Sequence, residues 1–286
     1  MSSRDDQAHE LEERVGHPAQ LWGSLKDHVQ ADAVKSFAGI QADWLELMWS
    51  LDAFRIHRLA PFGMGPDLGA LNRNKGNWFA ELIALLLQNR TSQRIGARTR
   101  VQGFSQLHQI DVAWPVRQHD PLICAETKVT GAPAHGTTPS RAATADWTNR
   151  RKELKFAATD LKLYRRQQET TIDHWDVWRK ANPPKVFFLW AARVTSTRDR
   201  IEYMVKEVRS LIETYLDGAG FFAWQDSEGG DSYEAVALPA DARVAALDDV
   251  LHRIAAEIRL LAPAGEPPEP VLPDVSVELA DENVSG

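Results

Sequence analysis

Asp111 lies in "HQIDVAWP", and Glu126, Thr127 and Lys128 lie in "PLICAETKV". Both segments read as strands, and both place charges where apolar residues are expected. Side chains alternate along a strand, so Glu126 and Lys128 project from one face, about 7 Å apart. If the two strands are neighbours, Asp111 sits beside Glu126. Two carboxylates that close repel each other unless a cation or a shared proton intervenes. Mg2+ typically takes one or two carboxylates together with waters and phosphate oxygens. The backbone carbonyl of Thr127 offers a further oxygen ligand. Lys128 beside such an ion would orient and acidify an attacking water, or neutralise charge developing on phosphate. The chemistry this pattern serves is metal-assisted hydrolysis of a phosphodiester.

The surrounding pattern supplies elements to hold these residues. Residues 17–59 carry helical spacing suited to two amphipathic helices, and "APFGMGPDLG" then breaks the pattern. A helix is expected over about 74–89, "NKGNWFAELIALLLQN". "RIGARTRVQG" and "HQIDVAWP" form a hairpin through "GFSQ", and "PLICAETKV" is the third strand. A basic helix follows over about 146–168. The continuous apolar run "PPKVFFLWAARV" suits a strand covered on both faces. A helix over about 198–216, short strands at "FFAW" and "YEAVAL", and a helix over 241–261 complete the body. The fold class expected is α/β, a mixed central sheet flanked by helices, with an N-terminal helical extension.

Asp followed on the next strand by Glu-x-Lys resembles the PD-(D/E)XK superfamily of restriction-endonuclease-like nucleases. That family's core is a helix, a three-stranded meander, a helix and a further strand, which matches the reading of residues 74–194. The resemblance implies that Asp111 and Glu126 are metal ligands and Lys128 the catalytic lysine. Glu81, an acid on an otherwise apolar helix, matches the position of an auxiliary ligand. The residue before Asp111 is Ile110 rather than Pro. Mg2+ is the implied cofactor, with Mn2+ able to substitute. The implied activity is that of a DNA endonuclease in restriction or phage defence, with a homodimer suited to cutting both strands.

Other readings use the same residues. A second Glu-x-Lys, Glu153 to Lys155, lies in the basic helix and reads as a solvated face with local ion pairs. Arg141, Arg150, Arg151, Lys152 and Lys155 fit a surface holding DNA phosphates, and equally an ordinary charged helix face. His108 reads as a strand-end histidine with a local hydrogen bond rather than a phosphate contact. His119, His135 and His174 lack the spacing of a zinc site. A catalytically silent nuclease-like fold that binds nucleic acid or protein, a repair nuclease for branched or single-stranded DNA, and a small-nucleotide hydrolase remain alternatives.

A net charge of -7 at first argues against a nucleic-acid partner. Yet residues 264–286 carry -6 and residues 1–14 carry -3, leaving the rest at +2. Residues 141–168 hold eight Lys/Arg against three acids, and local charge governs phosphate binding. The lone cysteine, Cys124, forms no intrachain disulfide and reads as a buried thiol. No stretch approaches the roughly 20 apolar residues of a membrane helix. A cytoplasmic protein with no membrane partner is expected. The expected organisation is an N-terminal helical region (1–65), a nuclease-like domain (66–263) and a disordered acidic tail (264–286).

Overall fold

The run "VFFLWAA" forms the centre of the sheet in the computed structural model, which describes residues 18–54, 65–119, 121–134, 139–169, 183–195, 200–239 and 244–262. The acidic terminal segments, His135 and His174 lie outside the described residues. Three helices come first: α1 (Pro18–Ala31), α2 (Gln41–Phe54), which a short 3-10 turn precedes, and α3 (Gly65–Thr91). They are followed by β1 (Gly96–Gln102), β2 (Leu107–Trp114), β3 (Ile123–Thr130), α4 (Trp147–Glu169) and β4 (Lys185–Arg193). The chain continues through α5 (Ile201–Ile212), β5 (Gly218–Asp226), β6 (Tyr233–Val236), β7 (Ala245–Ala246) and α6 (Leu247–Leu261).

The protein is α/β, with a mixed seven-stranded open sheet in the order β1-β2-β3-β4-β5-β6, β7 pairing with β5. β1, β2 and β3 form the antiparallel meander, β3, β4 and β5 run parallel, and β6 is antiparallel to β5. Every residue of β4 after Lys185 is buried because helices cover both faces. Phe187, Leu189 and Ala191 point into one core with α1, α2, α3 and α6. Val186, Phe188, Trp190 and Ala192 point into the other, with α4 and α5.

The N-terminal helices share the first of these cores. Trp22, Leu25, Val29, Trp44, Met48 and Leu51 pack there together with residues of α3 and the sheet. Long-range polar contacts fix them further. Asp248 accepts the backbone N–H groups of Phe37 and Ala38, each at 2.8 Å, and Asn89 donates to the carbonyls of Val29 and Val34, each at 2.9 Å.

Several boundaries differ from the sequence reading. α3 begins at Gly65, inside the expected break, because a proline near the start of a helix has its φ set for the first turn. The "FFAW" strand extends back to Gly218. Gly220 is there for close approach, since a Cβ on it would meet the Cα of Leu247 at 3.2 Å. The last helix starts at Leu247, after the two-residue strand β7, which has no sequence signal of its own.

Candidate active site

Between β2 and β3 the backbone ladder pairs Trp114 with Ile123, Ala113 with Cys124 and Val112 with Ala125. One step further, the same register sets Asp111 opposite Glu126. There the side chain replaces the ladder: Asp111 Oδ2 accepts the Thr127 N–H at 2.8 Å and the Thr127 hydroxyl at 3.0 Å. On the other side, β1 and β2 pair at Ala97–Val112 and Thr99–Ile110 and skip the rung between. The residue on that rung, Arg98, has φ 53°. Alternation fails at the same place, since Ile110 belongs to the α4–α5 core and Val112 to the α3 core. Asp111 therefore occupies the irregular point of an otherwise regular strand, as re-aimed functional side chains often do.

Ala125 packs into the α3 core and Cys124 into the opposite one, so Glu126 and Lys128 share the face toward α4. Lys128 Nζ lies 3.3 Å from Glu126 Oε2 and 3.9 Å from Asp111 Oδ2, so the two carboxylates converge on one ammonium group. Glu126 is only 14% exposed. Burial, followed by repulsion from Asp111, pushes its carboxyl up to about 7, against the pull of Lys128. Cys124 beneath it is buried and its thiol is also pushed up, chiefly by burial.

Glu126 and Lys128 open into a cavity of about 200 Å3 walled by Gln106 and His108 from β2 and by Glu153 and Phe156 from α4. Glu153 is close enough to add to the upward push on Glu126. It also pairs with Arg150 at 2.9 Å. Glu153 is an exposed helix acid in a local ion pair, as the sequence reading has it, and it also lines the wall of the candidate site. Its signal was positional: Glu153 and Asp160 lie seven residues apart, on the flank of the buried stripe Leu154, Ala158 and Leu161.

His108 is held by a hydrogen bond, but to a residue of α4 far along the chain rather than to the local partner the sequence suggested. It is buried, and its Nε2 lies 2.7 Å from Asp160 Oδ2. Asp160 also accepts the N–H and hydroxyl of Ser105, at 2.9 and 2.8 Å. Burial alone would raise the Asp160 carboxyl, but the hydrogen bonds from His108 and Ser105 hold it below its ordinary range. This cluster ties the β1–β2 turn to α4 and so fixes one wall of the cavity.

The remaining expected residues divide. Thr127 enters through its N–H and hydroxyl, both of which hold Asp111 in place. Glu81 is half-buried on α3, which packs on the opposite sheet face from Glu126. Among the described residues no three His, Cys, Asp or Glu side chains gather as a metal cluster. Arg151 points to α5, donating to Glu207 at 2.7 Å, and Lys155 lies over the Tyr215 ring at 4.9 Å. Lys152 is exposed. Arg141 and Arg150 instead lie beside Lys128, around a second cavity. Of the five basic residues, Arg141 and Arg150 line that cavity.

Lys75 also lines that second cavity, and no motif pointed to it. It is buried on α3 and paired with Asp52 of α2 at 2.5 Å, and Asp52 also accepts the Tyr233 hydroxyl at 2.8 Å. A lysine four residues before Phe79 and seven before Leu82 falls on the helix's apolar stripe, which was the legible sign of a buried cation. Among the described residues, no helix is long and apolar enough to cross a membrane. No protein-family model, curated protein or solved structure matches the chain.

Proposed function

We propose that this protein is a metal-dependent DNA endonuclease of the PD-(D/E)XK type. The observation that carries the reading is the convergence of Asp111 and Glu126, from adjacent strands, on Lys128 Nζ. The order α3, β1, β2, β3, α4, β4, with its antiparallel meander and parallel fourth strand, is the order the resemblance implies and supports it.

The donor set suits a hard divalent ion. Two carboxylates meet at one point, and burial first, then repulsion from Asp111, lets Glu126 hold its proton up to about 7, an arrangement that a bound cation would relieve. Asp111 and Glu126 would hold Mg2+, or Mn2+ in its place. A bound ion of this kind acts as a Lewis acid toward phosphoryl oxygen and makes water more acidic. Thr127 keeps Asp111 aimed at that point through its two hydrogen bonds. Lys128, freed from Glu126, donates to the phosphate oxygen on which charge develops. Glu153 and Phe156 bound the side from which the strand would enter. Duplex cleavage in restriction or phage defence, by a cytoplasmic homodimer with one site per strand, is the setting this chemistry suits best.

Two observations favour neighbouring readings. Lys128 already pairs with both carboxylates, which suits a silent fold that binds nucleic acid or protein. Phe156, 49% exposed at the cavity wall, suits stacking on an unpaired base, as in a repair nuclease for single-stranded or branched DNA. The deciding experiment incubates the protein with plasmid, linear duplex, single-stranded and branched DNA, in Mg2+, Mn2+ or EDTA. Cleavage that requires the divalent ion is expected, and the preferred substrate separates restriction from repair. No cleavage of any substrate would leave the silent fold.

A further inference from the structure

Lys128 stands between two cavities. The second, about 320 Å3, is lined by Lys75 from α3, Lys128 from β3, Arg141 from the loop after β3 and Arg150 from the first turn of α4. Among the described residues its lining holds no carboxylate. Each cation is paired with an acid outside that lining: Lys75 with Asp52, Lys128 with Glu126, Arg141 with Asp146 and Arg150 with Glu153. Those acids stand outside the lining, and the charged side chains that line the cavity are all cations. Its volume falls at the lower end of small-ligand sites.

The loop is built to bring Arg141 there. Gly131 leaves β3 with φ 82°, and a Cβ on it would lie 2.1 Å from the Arg193 carbonyl oxygen, so only glycine makes this turn. Ala132 and Arg141 then exchange both backbone hydrogen bonds, at 3.0 and 2.9 Å, which clamps the arginine against the cavity mouth. Lys75 is 4% exposed, and a buried ion pair gives little stability over an apolar replacement. Its place in the cavity wall gives the pair a use that packing does not.

We propose that this cavity binds a second phosphate group of the nucleic-acid strand, adjacent to the phosphate presented to Glu126 and Lys128. Four donors of positive charge, drawn from separate elements and converging without a facing acid, match the several acceptor oxygens of a phosphate. The identity of the phosphate's owner rests on the nuclease reading; the anion site itself does not.

The test is calorimetric titration in EDTA with inorganic phosphate, and then with a short single strand bearing either a 5′-phosphate or a 5′-hydroxyl. Wild type is compared with Arg141→Gln, Arg150→Gln and Lys75→Gln. Lys206→Gln, exposed on α5 and outside the cavity, serves as the control of equal charge change. Saturable phosphate binding is expected, weakened about tenfold by Arg141→Gln or Arg150→Gln and less than about twofold by Lys206→Gln. If Lys75→Gln fails to fold, the two arginine variants still decide. A stronger response to the 5′-phosphate strand assigns the cavity to a terminal phosphate, and equal responses assign it to an internal one. Absence of saturable phosphate binding, or equal weakening by Lys206→Gln and Arg141→Gln, overturns the proposal. Titration in EDTA and the cleavage assay in Mg2+ separate the two claims: phosphate binding in EDTA with no cleavage in Mg2+ keeps the cavity and removes the nuclease reading, and cleavage in Mg2+ without phosphate binding in EDTA does the reverse.

Discussion

Replacing Glu126 with Gln keeps the shape of the side chain and removes its charge, and the consequence depends on pH. The folded protein holds the Glu126 proton up to about 7, whereas an ordinary glutamate releases it near 4.5. Below pH 4.5 the carboxyl is protonated folded or unfolded and imposes no penalty. As pH rises from 4.5 to 7 the unfolded chain gives up the proton first, so folding stability falls, and above 7 the full penalty is present. At 1.36 kcal/mol per pH unit, that penalty is about 3 kcal/mol. Urea denaturation of both proteins from pH 4 to pH 8.5 reads it directly. The stability of Glu126→Gln relative to wild type should improve by about 3 kcal/mol across that range. Mg2+ should offset the penalty in wild type, more strongly at pH 8 than at pH 6, because metal and proton compete for the same carboxylate. It should do little for the variant. Parallel pH curves for the two proteins would refute the account of Glu126 as a buried, crowded carboxyl.

Three other substitutions probe the supporting structure. Thr127→Val removes the hydroxyl that holds Asp111 but keeps the N–H contact, and should lower the cleavage rate about tenfold with a stability loss of about 1 kcal/mol, measured by single-turnover kinetics and urea denaturation. Asp160→Asn weakens the cluster of Ser105, His108 and Asp160 and should cost about 2 kcal/mol of stability by urea denaturation. Gly131→Ala forces a Cβ against the Arg193 carbonyl and should destabilise by more than about 1 kcal/mol, with phosphate binding weakened in parallel by calorimetry.

The parts of the fold visible in the sequence are those written locally. The unbroken apolar run of β4 requires helices on both faces, and the hairpin of β1 and β2 follows from its turn and alternation. The pairing of Asp111 with Glu126 was legible because register carries it once the strands are neighbours. What the sequence did not reveal lies between elements far apart in the chain. The Lys75–Asp52 pair joins two helices, Glu153 faces Glu126 from the helix after β3, and Arg151 turns away to Glu207. Helical periodicity gives each of these side chains a face but not a partner. The irregularity at Asp111 is likewise silent, since Arg98 carries no glycine to announce its positive φ.

The most direct test of the central claim is the rate of Mg2+-dependent cleavage of one duplex under single-turnover conditions, for wild type, Glu126→Gln, Lys128→Met and Lys206→Gln. The account predicts losses of about 100-fold or more for Glu126→Gln and Lys128→Met, with Lys206→Gln close to wild type. Wild-type rates in both Glu126→Gln and Lys128→Met would contradict it.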